Sequence, residues 1–207
     1  MASGQEVALI DYGAGNLHSV ENALRAVGAD VVVTADIAVV ASASRIVLPG
    51  VGSFKACIDG LTAIEGMAET LDTRVFRDAV PFLGICVGMQ LMAEYGLEHG
   101  TFKGLGWVSG SVKPLTASEY VKVPHMGWNT VEPVGAGSLI EPGEAYFLHS
   151  YAFESAQTPD SVRAVTDHGG PVVAAIQEGT ALGVQFHPEK SQKYGLDLLS
   201  RFLEWRP

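Results

Sequence analysis

Cysteine is scarce in this chain. Of 207 residues only Cys57 and Cys86 carry a thiol. Two are too few for a disulfide scaffold, and neither a CxxC pair nor an HExxH run offers the spacing of a metal site. A reducing, cytoplasmic compartment is expected, with no metal and no other cofactor. Basic residues are sparse as well: 13 Lys and Arg against 23 Asp and Glu leave a net charge of −10, which argues against a nucleic-acid surface, where cations cluster. Long apolar runs are missing. The opening residues, Met1 to Glu6, include no basic region and lead into an apolar run of only Val7 to Ile10, so neither a signal peptide nor a membrane span is expected. No phosphate loop ending in Gly-Lys-Ser/Thr occurs. A strand, a glycine turn and a helix do follow one another from Glu6 to Val27, but the dinucleotide fingerprint needs a third glycine where His18 stands.

What is there is an ordinary globular composition, 47% apolar and 17% charged, and a length that supports one domain. No repeat, low-complexity tract or linker divides it, so residues 1–207 are expected to form a single domain. The first half alternates strand and helix. Glu6 to Tyr12 reads as a strand; Leu17, Val20, Leu24 and Val27 mark one face of a helix closed by Gly28; Val31 to Thr34 and Arg45 to Leu48 read as further strands. Ser53 is a candidate N-cap for a helix from Phe54 to about Leu71, and Cys57 reads as a small core residue on it. This alternation predicts a parallel sheet. After Gly96 the texture changes to short, turn-bounded runs: Trp107 to Lys113, Tyr120 to Trp128, Ala145 to Phe153, Val162 to Thr166, Pro171 to Gln177 and Ala181 to Phe186. A helix from about Gln192 closes the chain, with Leu198, Leu199, Phe202 and Leu203 as its buried stripe. The expected fold class is α/β, a mostly parallel central sheet with flanking helices and additional antiparallel strands in the C-terminal half.

One stretch organises the rest. Phe82 to Ile85 reads as a buried strand, Val87 to about Tyr95 as a helix, and Cys86 is the corner between them. Gly84 and Gly88 stand two places to either side, the G-x-nucleophile-x-G elbow with cysteine in place of serine. Such a corner is strained, and side chains at the two flanking positions would collide. The following helix presents free N–H groups and a partial positive charge to the sulfur. Alone, the motif is equally compatible with a structural cysteine between packing glycines. The segment Ala181 to Lys190 supplies what the cysteine lacks. A strand delivers His187, Pro188 keeps it extended, and residues two apart point to the same side, so Glu189 reaches the imidazole. Cys86, His187 and Glu189 make a triad in which the carboxylate fixes the tautomer and steadies the imidazolium. His18, His99 and His168 read as loop or helix-surface residues. Acyl transfer also needs N–H donors for an oxyanion. Val87, next after the nucleophile, gives one, and the loop at Val51 and Gly52 offers a second.

Six segments then appear in order: Ile10-Asp-Tyr-Gly-Ala-Gly-Asn-Leu17 with Ser19-Val20, Leu48-Pro-Gly-Val-Gly-Ser-Phe54, Gly84-Ile-Cys-Val-Gly-Met-Gln90, Val123-Pro-His-Met-Gly-Trp-Asn129, Tyr146-Phe-Leu-His-Ser-Tyr151 and Gly183-Val-Gln-Phe-His-Pro-Glu-Lys-Ser191. Together they resemble the class I (triad) glutamine amidotransferases and, more narrowly, the family of glutaminase subunits of imidazole glycerol phosphate synthase. The elbow and the His-Pro-Glu run set only the reaction class. The opening Asp-Tyr-Gly-x-Gly-Asn and the Pro-His-Met-Gly-Trp segments single out the narrower family. The resemblance implies hydrolysis of L-glutamine through a thioester on Cys86. It also implies a heterodimer with a (β/α)8-barrel cyclase, which takes the ammonia to form imidazole glycerol phosphate in histidine biosynthesis. By matching positions, Gln90, Glu98, Ser150 and Tyr151 would hold the α-groups of glutamine. Asn16, Pro124, Met126, Trp128, Tyr146 and Lys190 would lie near the cyclase. Without the resemblance, Met126 and Trp128 read as core residues. A glutaminase subunit serving another synthase, or a stand-alone γ-glutamyl hydrolase, would share the triad but have no use for the two family-specific segments. A non-catalytic interaction protein would have no use for the triad.

Overall fold

The alternation of the first half sets up the frame. A computed structural model describes residues 6–135, 139–155 and 159–207; the reading that no leader precedes the first strand falls mainly on residues 1–5, outside the described ones. The order runs β1 (Glu6–Ile10), α1 (Leu17–Ala26), β2 (Asp30–Thr34), α2 (Ile37–Ser42), β3 (Arg45–Gly50), α3 (Phe54–Ala63), α4 (Met67–Asp72), β4 (Phe82–Cys86) and α5 (Val87–Gln90). It continues with β5 (Ala93–Gly96), β6 (Phe102–Lys103), β7 (Val108–Pro114), β8 (His125–Pro133), β9 (Gly143–His149), β10 (Tyr151–Ser155), β11 (Val162–Asp167), β12 (Pro171–Glu178), β13 (Ala181–Val184) and α6 (Gln192–Glu204).

A nine-stranded sheet carries the core in the order β2-β1-β3-β4-β13-β12-β11-β8-β9. Pairing is parallel from β2 through β13 and antiparallel from β13 through β9. A second sheet, β10-β7-β5-β6, lies beside it. The inner parallel strands are largely apolar because both faces are covered; β3 and β4 are buried at every residue. The stripe of α6 packs as its spacing predicts, with Leu198, Leu199, Phe202 and Leu203 all buried. Arg45, buried on β3, donates to the Phe202 carbonyl at 3.0 Å and the Trp205 carbonyl at 2.9 Å, satisfying carbonyls that the end of α6 leaves free.

Four expectations need correction. The helix expected from Phe54 to Leu71 breaks after Ala63: Gly66 takes a left-handed φ of 80° and starts α4 afresh. The helix after Cys86 is a single turn rather than running to Tyr95. Leu105 donates to the Leu91 carbonyl at 2.7 Å, and Trp107 and Val108 both donate to that of Met92 at 2.9 Å. These bonds capture acceptors a longer helix would need. Leu91 and Met92 still bury, but Tyr95 lies on β5, half exposed. The run Tyr120 to Trp128 becomes a strand only from His125, and Tyr120 is exposed. Ala145 to Phe153 is two strands parted at Ser150. Helix α2 was not foreseen; Asp36 caps it by accepting from the Ala38 N–H at 2.8 Å. Among the described residues, no helix is long and apolar enough to cross a membrane.

Candidate active site

Cys86 ends the central strand β4, whose neighbours deliver the other parts. On one side β3 pairs Gly50 with Cys86 and runs into the Val51–Gly52 loop. On the other, β13 pairs Val184 with Ile85 and runs on to His187. The corner is strained: Cys86 has φ 54° and ψ −111°, a region L-residues rarely occupy. Both flanking glycines are required by close backbone approach. A Cβ on Gly84 would lie 2.7 Å from the Gly88 carbonyl oxygen, and one on Gly88 would lie 1.9 Å from that of Leu48.

His187 is buried, and its Nδ1 lies 2.8 Å from Glu189 Oε1. Burial opposes charge on the imidazole. Its hydrogen bonds with Cys86 and Glu189 outweigh that and push it up to about 9. His187 is extended (φ −103°, ψ 97°), but the extended run stops there, and a 3-10 turn at Pro188–Lys190 brings Glu189 back to the ring. Backbone bonds fix this segment. The His187 N–H donates to the Tyr146 carbonyl at 2.9 Å, and the Ser191 hydroxyl donates to the His187 carbonyl at 2.7 Å.

One pocket joins the elbow to the other predicted groups. Val51, Gly52 and Val87, expected around an oxyanion, line it with Cys86 and His187. So do Gln90, Glu98, Ser150 and Tyr151, the residues expected to meet the substrate, together with Lys190. Glu189 stands behind His187, outside the lining. The loop is braced from both ends. Tyr12 donates to the Pro49 carbonyl at 2.6 Å, and burial pushes its hydroxyl far above the ordinary value, so it stays a donor. Cys57 is a core residue, as expected; burial pushes its thiol up, and its sulfur lies 3.5 Å from the Val51 carbonyl. Gln90 donates to the Tyr151 carbonyl at 2.9 Å, and Glu98 accepts from the Phe54 N–H at 2.7 Å.

The residues expected near a partner sort differently. Met126 and Trp128 are 60% and 48% exposed, so the reading of them as core is wrong. They lie on the outward face of β8, paired across to Leu148 and Tyr146 of β9, and Leu148 is also exposed. Trp128 meets the Tyr146 ring edge-on at 6.3 Å, and Lys190 Nζ stands 5.9 Å over the same ring. Pro124 is exposed, and Asn16 sits at the start of α1 without a side-chain capping bond. The inward face of the same two strands carries residues the sequence reading passed over. His125 and His149, both buried, lie 2.9 Å apart, and His168, read as a surface residue, stacks on His125 at 4.1 Å. Gln185 was also missed. A glutamine inside the apolar run Ala181 to Phe186, two places before His187, was the available signal.

The glutamine amidotransferase class-I family pattern matches residues 8–204. The chain is 53% identical over 206 residues to the imidazole glycerol phosphate synthase subunit HisH of Zymomonas mobilis, covering 97% of this chain and 96% of that one. It is 50% identical to the protein of the same name from Caulobacter vibrioides, covering 98% of this chain and all of the other. Among solved structures, a glutamine amidotransferase superimposes with a TM-score of 0.75 at 18% identity over 97% of this chain and 98% of its own. PurLQS from Thermotoga maritima gives 0.72 at 15% identity over 98% and 99%. These two share the fold. The chain belongs to the class-I glutamine amidotransferases, within the family of HisH subunits of imidazole glycerol phosphate synthase.

Proposed function

We propose that this chain is the glutaminase subunit of an imidazole glycerol phosphate synthase. As a single cytoplasmic domain, it hydrolyses L-glutamine at Cys86 and passes ammonia to a (β/α)8-barrel cyclase that forms imidazole glycerol phosphate in histidine biosynthesis. The observation that carries the reading is convergence: a cysteine held at positive φ shares one pocket with an imidazole that is hydrogen-bonded to a buried carboxylate.

The chemistry follows from the placement. The Cys86 sulfur attacks the side-chain carboxamide carbon, and the carbonyl π electrons move to oxygen. That charge is met by backbone N–H groups of Val87 and the Val51 loop. His187, protonated at neutral pH by virtue of its raised affinity, gives its proton to the departing nitrogen as the C–N bond breaks. A water then attacks the thioester while His187 takes its proton, and glutamate leaves as the C–S bond breaks. Glu189 keeps Nδ1 protonated, so that Nε2 is the nitrogen that exchanges protons. Gln90, Glu98, Ser150 and Tyr151 hold the α-groups, where Glu98 offers negative charge and Gln90 an amide oxygen. The cyclase docks on the outward face of β8 and β9 at Met126, Trp128 and Tyr146, with Asn16, Pro124 and Lys190 around it. Lys190 touches both this face and the pocket.

The test is glutamate release from glutamine by the purified chain alone, and with the barrel cyclase plus its nucleotide ligand. A low basal rate that rises by orders of magnitude in the complex is expected. A high basal rate indifferent to the cyclase would keep the chemistry and make the protein an independent hydrolase.

A further inference from the structure

The Cys86 sulfur has a neighbour with no part in the chemistry above. Gln185 Nε2 stands 3.7 Å from Cys86 Sγ, and Gln185 is fully buried. It follows β13 directly, two residues before His187. A bend at Gln185 and Phe186 leads from β13 to His187, so one short segment brings both side chains to the sulfur.

Which end of the Gln185 amide faces the sulfur is dictated by its surroundings. The Tyr151 carbonyl can only accept, and Gln90 lies 2.9 Å from it, so Gln90 must turn its nitrogen there. The other proton of that nitrogen points at Gln185, 3.0 Å away. Gln185 must therefore present its oxygen to Gln90 and its nitrogen to Cys86. The reversed amide would set two NH2 groups face to face and aim an oxygen at the sulfur. The same carbonyl sets the far side of the chain. His149 Nδ1, 2.9 Å away, must donate to it, so in the neutral ring Nε2 accepts from His125 Nδ1 at 2.9 Å. His125 Nε2 then accepts from Asn129 at 3.1 Å. The Asn129 amide is itself fixed, donating to the Asp167 carbonyl at 2.7 Å and accepting from the Thr130 N–H at 2.8 Å. Burial keeps both histidines neutral, as this sequence of tautomers requires. Every proton in the network thus has one allowed direction.

We propose that Gln185 is a further catalytic residue, whose buried Nε2–H is the fixed donor to negative charge on the Cys86 sulfur. The donor meets that charge before attack and again when the thioester breaks and the sulfur departs with the bonding pair. The Tyr151 carbonyl, Gln90 and the histidine pair are positioning groups that hold the amide this way round. A donor oriented beforehand needs no reorganisation as charge appears. The inference rests on Cys86 being the nucleophile.

The test is alkylation of Cys86 by iodoacetamide in the isolated chain, followed by the mass of the Cys86 peptide, with kcat and KM for glutamine measured in the complex. Gln185→Met should slow alkylation about tenfold near neutral pH, the loss of one hydrogen bond to a charged group. In the complex kcat should fall by a similar factor with KM within about twofold. Gln185→Glu has the same size and keeps the packing, but puts an acceptor where the donor was; it should slow neutral-pH alkylation more than methionine does. Wild-type alkylation rates at neutral pH in both variants would overturn the proposal. A wild-type Cys86 that resists alkylation at every pH would remove the nucleophile itself, and the proposal with it.

Discussion

Glu189→Gln separates the charge of the triad from its geometry. A glutamine there still offers an oxygen to the His187 Nδ1–H, 2.8 Å away in the native protein, so the tautomer and ring orientation survive while the negative charge is lost. His187 stands at about 9 against an ordinary 6.5 because its bonds to Cys86 and Glu189 outweigh its burial. A hydrogen bond to a charged partner contributes about 1.5–3 kcal/mol, and each ~1.4 kcal/mol is one pKa unit or a factor of ten. Neutralising residue 189 should therefore bring the His187 titration down by about one to two units and slow glutamine hydrolysis by up to about twofold at pH ~7, growing to between about threefold and about 25-fold by pH ~8.5. The sign is specific. A raised affinity holds the proton until pH passes about 9, whereas the variant loses it at a lower pH. The deficit of the variant should therefore widen as pH rises from about 6.5 toward about 8.5 and narrow toward acid. The assay is glutamate release in the complex with the cyclase across that range, with His187→Asn beside it. His187→Asn should lose more at every pH, since proton transfer itself is gone. A Glu189→Gln profile parallel to wild type, with the same high-pH limb, would refute the assignment of Glu189 as the carboxylate that steadies the imidazolium.

Cys86→Ala should abolish glutamine-dependent synthesis in the complex yet leave synthesis from added ammonium salts intact; loss of both would contradict the division of labour between the two subunits. The buried histidine pair makes a stability prediction. His125 and His149 are held down to about 4 and about 3, chiefly by burial, whereas in the unfolded chain they protonate near ~6.5. The unfolded state then binds more protons below that pH, so stability falls with acid, by up to about 2 kcal/mol per histidine between pH ~6.5 and ~5. His187, shifted the other way, contributes slope only above that window. Urea midpoints should drop accordingly across it, and flat midpoints would show that the two rings are not buried neutral. Trp128→Ala should leave the melting temperature of the free chain within a few degrees, since the side chain is half exposed, and weaken the cyclase complex about 30-fold or more, as loss of an aromatic anchor does. Unchanged affinity would take Trp128 off the docking face.

The elbow was legible because its glycines answer to local geometry: the spacing around Cys86 has a steric cause that holds whatever surrounds it. The strands of the parallel half and the stripe of α6 were legible for the same reason, since burial on both faces or on one leaves a periodic trace. Failures came where distant backbone intervened. Nothing between Val87 and Tyr95 announces that the carbonyls of Leu91 and Met92 will be taken by Leu105, Trp107 and Val108. Met126 and Trp128 look apolar and therefore buried, yet strand alternation turns His125 and Asn129 inward and leaves the larger residues outside. Gln185 acquires its meaning from a sulfur 99 positions away in the chain. A sequence pattern can mark it as misplaced among apolar neighbours but cannot say what it faces.

Strand β9 joins the outward apolar face to the pocket. Its outward side chains, Tyr146 and Leu148, lie on the apolar face with Trp128 and Met126. Its backbone groups at Tyr146 and Leu148 leave along the edge that β8 does not pair. The Tyr146 carbonyl holds the His187 N–H at 2.9 Å, and the Leu148 carbonyl is the group 3.9 Å from the Cys86 sulfur. The next inward residue, His149, fixes the carbonyl to which Gln90 is bonded. A strand is stiff along its length and its pleat cannot slip by one residue without turning every side chain over. Tyr146 and Leu148 thus carry side chains on the outer face and carbonyls against His187 and the sulfur, while Cys86 is held by parallel pairing on both sides of β4. Cys86 closes β4 and His187 follows β13, the strand paired beside it, so nucleophile and imidazole approach each other from neighbouring parallel strands.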